Sequence, residues 1–146
     1  MKIAIISDIH EDYLNLKKAA RAIEKKGCHE IICLGDIVGF SVPYYAYYES
    51  RDASVCVEWV KENCRYAVAG NHDLYAVRKL PGSDVRGFSF PENWYQLPFD
   101  ERRKVGNDEI WLYEDNELSA LLNLVSQEYL AQLPEHDIVE QNNRRC

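Results

Sequence analysis

Tyr66-Ala67-Val68-Ala69-Gly70-Asn71-His72-Asp73 is the stretch on which the reading of this chain turns. Four apolar residues, enough for a short buried strand, run straight into a glycine, an amide, an imidazole and a carboxylate. Two earlier segments repeat the arrangement. Ile3-Ala4-Ile5-Ile6 leads into Ser7-Asp8-Ile9-His10, and Ile31-Ile32-Cys33-Leu34 into Gly35-Asp36. Three strand-like runs therefore deliver carboxylate, imidazole and amide groups at their carboxyl ends. If those ends share one sheet edge, the donors make a site for a hard or borderline metal, and such sites commonly serve phosphate chemistry.

Helical patterns separate the runs. Leu14, Lys17, Lys18, Arg21 and Ile23 recur with helical period before Gly27, a plausible terminator. A second helix is expected from about Ala53 to Cys64, carrying Val55, Val57, Trp59 and Val60. The order β-α-β-α-β predicts a parallel sheet with right-handed crossovers and ligands outside the carboxyl ends of its strands. Between Phe40 and Ser50 lies an aromatic loop with Tyr44, Tyr45, Tyr47 and Tyr48, suited to stacking on a nucleobase or to packing the loop itself.

Downstream, Leu74 to Lys79 reads as a short helix. Pro81 to Asp108 reads as a long structured loop with one or two helical turns, either a substrate lid or a locally packed segment. A last helix is expected around Asn116 to Gln132, with Leu118, Leu121, Leu122, Val125 and Leu130 on its apolar side and Pro134 ending it.

The 146 residues fit one domain, and 47% hydrophobic content with 12% aromatics supports a true core. Seventeen basic against 24 acidic residues give a net charge of −7, which argues against a broad nucleic-acid face or an anionic membrane surface. No run approaches the length of a membrane span. Five cysteines without a C-x-x-C pair suit reduced thiols in a cytoplasm.

Each motif has an ordinary structural alternative when taken alone. Asp8 and His10 share one side of an extended segment but recur incidentally in many chains. Gly35-Asp36 is also a common turn, and Asn71-His72-Asp73 also a helix cap. Their joint occurrence, in order and each after an apolar strand, resembles the calcineurin-like metallophosphoesterase superfamily, and Gly35-Asp36-Ile37-Val38-Gly39-Phe40 resembles its small bacterial and archaeal members.

That resemblance implies an α/β/β/α sandwich of which this chain supplies the N-terminal β-α-β-α-β part. It implies one divalent ion (manganese, iron or zinc) held by Asp8 and His10, a second held by Asn71, and Asp36 bridging both. His72 would face the phosphoryl group of a small phosphorylated substrate as the catalytic residue. A metal-bridging hydroxide would then hydrolyse a phosphomonoester or phosphodiester. Family members also carry a later single histidine and a Gly-His-x-His motif; of the four histidines His10, His29, His72 and His136, none supplies those three late ligands unless His136 is recruited. The expectation is therefore a truncated single domain over 1–146 with the second sheet largely missing, room for a homo-oligomer on the bare sheet face, and one ion or none held firmly. A non-catalytic interaction module or an inactive fragment is the alternative. Gly39 stands where the protein-phosphatase branch carries an aspartate that orients the histidine, so His72 is expected to lack that partner. Arg51 and Arg78 are candidates for phosphate contact or for plain surface residues.

Overall fold

The computed structural model describes residues 1–107, 109–141 and 144–145. Strand β1 (Ile3–Ile6), helix α1 (Tyr13–Lys25), strand β2 (Glu30–Cys33), a two-residue β3 (Phe40–Ser41), helix α2 (Ala53–Asn63) and strand β4 (Tyr66–Ala67) form the first half. Helix α3 (Asn71–Ala76), helix α4 (Phe99–Gly106), strand β5 (Glu117–Leu118), helix α5 (Leu124–Gln132) and a terminal β6 (Glu140–Gln141) and β7 (Arg144–Arg145) complete it.

The expected parallel sheet is present in the order β1-β2-β4, with Ile5 opposite Ile32 and Cys33 opposite both Ile6 and Ala67. Side chains alternate across a strand, so Ile6, Cys33 and Ala67 share one face. That face meets the core, where Cys33 is fully buried. The opposite face is poorly covered, as the sequence predicts. Ile5 there is 64% exposed, and Leu34 just beyond β2 is 52% exposed. The second sheet is reduced to the antiparallel pair β3-β5, with Phe40 opposite Leu118.

Helix α2 explains the core. Ala53, Cys56, Val57 and Val60 are all buried at i, i+3, i+4 and i+7 spacing, which makes a single apolar stripe. Its N-terminus is capped by Asp52, whose side chain accepts from the Val55 amide at 3.0 Å. Asp12 caps α1 and Asn123 caps α5 in the same way. In α1 it is Leu16 that is buried, whereas Leu14 is half exposed.

Several local expectations change. Helix α3 begins at Asn71 rather than Leu74, because the Asp73 carboxylate accepts from the Gly70 amide and starts the turn earlier. Helix α5 begins only at Leu124, since Glu117 and Leu118 are drawn into pairing with β3 and Asn123 supplies the cap. The predicted apolar side of that helix is correspondingly loose: Leu130 is buried but Leu121 and Val125 are exposed. The Pro81 to Asp108 stretch contains a 3-10 turn at Trp94–Gln96 and the two turns of α4. Asp108 and Cys146 lie outside the described residues.

Burial keeps Cys33 and Cys56 as thiols, pushing them up to about 11 and about 12. No described helix is long and apolar enough to cross a membrane.

Arg51 is committed to partners within the protein. Its Nε lies 3.0 Å from Glu11 Oε2 as an ion pair, without the alignment of a hydrogen bond, and its Nη2 donates to the Ser119 carbonyl at 2.8 Å. Glu11 is fully buried and also accepts from the Gly39 amide at 3.2 Å. Burial raises the Glu11 carboxyl above its usual 4.5, and the Arg51 charge is the main influence holding it down.

Arg51→Leu is therefore expected to destabilise the fold by roughly 3 kcal/mol, because it leaves one charge of a buried pair uncompensated. The loss should grow with pH. Without Arg51 the folded-state pKa of Glu11 rises further, so the folded chain holds a proton that the unfolded chain releases above about 4.5. Stability then falls as pH climbs from that value through the raised one. Urea unfolding at pH 5 and pH 8 reads this directly; an equal loss at both would contradict it.

Candidate metal centre

The loops that follow β1 and β2 are zipped together beyond the sheet. The amides of Asp8, His10 and Glu11 donate to the carbonyls of Gly35, Asp36 and Ile37 at 3.0–3.1 Å. This pairing places Asp8, His10, Glu11 and Asp36 in the left-handed backbone region, with φ of 54°, 47°, 66° and 51°. Side chains other than glycine reach that region only at a cost, so the surrounding bonds hold the donors in place against local preference.

Glycines make the convergence sterically possible. Gly35 has φ of +91°, and a Cβ there would lie 2.7 Å from the Gly70 Cα and 2.8 Å from the Ala69 carbonyl carbon. Gly39 has φ of +98°, and a Cβ would meet the His72 ring at 2.5–2.7 Å. The loop after β2 is thus pressed against the loop after β4.

Within this frame, one donor atom each of His10, Asp36 and His72 lies within 4.8 Å of the others. His10 is buried, and its Nδ1 lies 2.8 Å from the Gly39 carbonyl. A carbonyl only accepts, so Nδ1 carries the proton and Nε2 keeps its lone pair. Asp8 Oδ1 stands 3.7 Å from that Nε2, on a side chain that is 66% exposed. Asp36 is pinned by accepting from the His72 amide at 3.1 Å. Asn71 donates through Nδ2 to the Tyr113 hydroxyl at 2.8 Å, which leaves its Oδ1 as the available donor. A mixed set of carboxylate, imidazole and amide suits manganese, iron or zinc, and the second nitrogen of His10 is oriented as in protein metal sites.

Three features escape the motif reading. Asp73 is fully buried and accepts from the amides of Ile37, Val38 and Gly70 at 2.9–3.1 Å, tying the two loops together. Burial pushes its carboxyl up to about 7 against those three donors. Tyr113 anchors Asn71 from 42 residues away. Most important, His72 does have a carboxylate partner: Glu117 Oε2 is 2.6 Å from its Nδ1, on a side chain only 3% exposed. The expectation that His72 stands alone is corrected. Glu117 comes from β5, and nothing near Gly39 in the sequence signals it.

Burial lowers the His72 pKa, but the Glu117 hydrogen bond and charge outweigh it, and the net direction is above 6.5. In metal-free protein the His72 ring is expected to titrate above that value, and Glu117→Gln should bring it down. The sign for stability follows. The His72–Glu117 ion pair contributes fully below about 6.5 and is lost as pH rises through the raised value. Two-dimensional NMR of the imidazole nitrogens checks this, and a titration unmoved by Glu117→Gln would contradict it.

The sequence model of the calcineurin-like phosphoesterases matches residues 1–144. The chain belongs to this family. A calcineurin-like relative by structure, a metallophosphoesterase from Sphaerobacter thermophilus, superposes with a TM-score of 0.51 at 26% identity, covering 97% of this chain and 44% of its own. A putative diadenosine tetraphosphatase gives 0.49 at 20% identity, over 90% and 42%. An uncharacterised protein of Methanocaldococcus jannaschii is 39% identical over 78 residues, which is 53% of this chain and 28% of the relative. The chain thus spans less than half the length of each of these proteins.

Proposed function

We propose that this calcineurin-like chain is a metal-dependent phosphoesterase acting on a small phosphomonoester or phosphodiester. The observation that carries the reading is the convergence of His10, Asp36 and His72 donor atoms, from the loops after β1 and β2 and the first turn of α3, within 4.8 Å. Asp8 and His10 would hold one divalent ion, Asn71 Oδ1 a second, and Asp36 both. Manganese, iron or zinc there supplies an acidified water and positive charge against the phosphoryl oxygens.

The chain's own residues do the remaining work. The Gly39 carbonyl keeps His10 in the tautomer that can ligate. The His72 amide holds Asp36. Glu117 takes Nδ1 of His72, which leaves Nε2 to face the phosphoryl group and to pass a proton to the departing oxygen. Asp73 keeps the two loops in register without touching substrate. The cysteine thiols fit a reducing cytoplasm.

The test is hydrolysis of p-nitrophenyl phosphate and bis-p-nitrophenyl phosphate with added manganese, alongside metal titration. Manganese-dependent turnover lost in Asp36→Ala supports the reading; turnover that Asp36→Ala leaves unchanged, or none in wild type, sinks it. A second reading, an interaction module or self-association through the sheet, is favoured by one observation: the bare apolar face at Ile5. Light scattering separates it, since a monomer that hydrolyses the esters excludes that role as the principal one.

A further inference from the structure

A cavity of about 650 Å³ opens beside the metal centre, and the chemistry above leaves most of its walls unused. Asn71 and Tyr113 form the wall shared with the site. Tyr75 stacks on Tyr113 at 4.5 Å and 20°, and Trp94, Tyr95 and Trp111 line the rest. The volume falls in the range of small organic ligand sites, and several rings from three separate parts of the chain give it flat walls. Trp111 is 47% exposed, so an indole face is left bare in a concave surface.

The charges lining the cavity are mostly committed. Arg102 pairs with Glu114 and Arg103 with Asp115, while Lys79 donates to the carbonyls of Ala131 and Leu133. Among the described residues, Arg86 is the lining cation left without an acid or carbonyl partner, and it is exposed. A lining so balanced favours a flat, uncharged ring over a second anionic group. Aromatic walls bind such rings by stacking whatever their detailed substitution.

We propose that this cavity is the leaving-group subsite of the phosphoesterase: it takes the planar aromatic ring, nucleobase or aryl, of an ester whose phosphoryl group faces His72. The inference rests on the phosphoesterase reading for its catalytic meaning, but its binding part stands apart from any metal.

The test is calorimetric titration of the chelator-treated full chain with adenosine 5′-monophosphate, phenyl phosphate and glycerol 3-phosphate. At least one ring-bearing probe should bind about tenfold or more tighter than glycerol 3-phosphate. Trp111→Ala and Tyr95→Ala should each remove most of that preference while leaving the circular dichroism spectrum intact. Preference for the nucleotide alone identifies a nucleobase, and preference for the phenyl ester alone an aryl group. Equal affinity for the three, no binding of any, or a preference kept in both variants would overturn the subsite. If aromatic preference persists but manganese-dependent hydrolysis is absent, the phosphoesterase reading fails and the ring-binding cavity stands; hydrolysis without aromatic preference removes the subsite alone.

Discussion

Asp36→Ala is expected to lower manganese-dependent phosphoester hydrolysis by about 10³-fold or more and to weaken manganese binding in the same protein. The magnitude follows from what the carboxylate does in the proposed centre. Metal-derived charge stabilisation is worth several kcal/mol in a transition state, and each ~1.4 kcal/mol is tenfold in rate. In the proposed centre Asp36 would serve both ions, so its loss would remove a ligand from each. It also accepts from the His72 amide, so the variant frees the first turn of α3, which carries Asn71 and His72. Asp36→Asn separates the two roles. It keeps an acceptor for the amide while removing the charge, and is expected to stay folded with hydrolysis still lost. Thermal melting and metal titration of both variants check this. Recovery of wild-type rates in Asp36→Asn at moderate manganese would show that the carboxylate is not the bridging group.

Gly35→Ala carries the largest expected effect on stability, a loss of roughly 3–5 kcal/mol. Two costs combine at one methyl group. At φ of +91° an alanine is strained whatever the space around it, and its Cβ would press on backbone atoms of Ala69 and Gly70, which cannot swing aside as a side chain could. Relief would require the loops after β2 and β4 to separate, pulling Asp36 from the His72 amide and breaking the Asp73 contacts to Ile37 and Val38. Gly87→Ala is the control. Gly87 also has a positive φ, +85°, but a Cβ there meets nothing within 4 Å, so only the backbone part of the cost remains, about 1 kcal/mol. Urea unfolding of the two variants isolates the steric part. Equal losses would mean that the loops are not in the contact described.

Much of the fold, and the grouping of His10, Asp36 and His72 at one edge, was legible in the chain itself. Ile3–Ile6, Ile31–Leu34 and Tyr66–Ala69 are apolar without alternation, a local pattern that marks strands of a parallel sheet even though one face at Ile5 is left exposed here. Asp8, His10, Asp36, Asn71 and His72 follow those strands directly, and the convergence of His10, Asp36 and His72 needs only the parallel order. Helix boundaries were less legible. Asn116 to Gln132 has helical composition throughout, yet Glu117 and Leu118 pair with Phe40 and Ser41, a contact some 76 residues apart in the chain that local propensity cannot register.

Tertiary structure alone decided the remaining partners. Glu117 against His72, Tyr113 against Asn71 and Arg51 against Glu11 join residues 40 or more positions apart, with no spacing rule to announce them. For Glu11 and Glu117 the pairing arises because a buried polar group must find a partner in whatever segment the topology brings beside it, whereas the Asn71–Tyr113 bond lies at the exposed edge of the site. The sequence by itself determined that strand ends would gather carboxylate and imidazole groups in a calcineurin-like sheet. The packed chain decided which nitrogen of each histidine is left free, and that an aromatic cavity lies next to Asn71, because tautomer and cavity shape depend on contacts between loops and not on the order of residues within them.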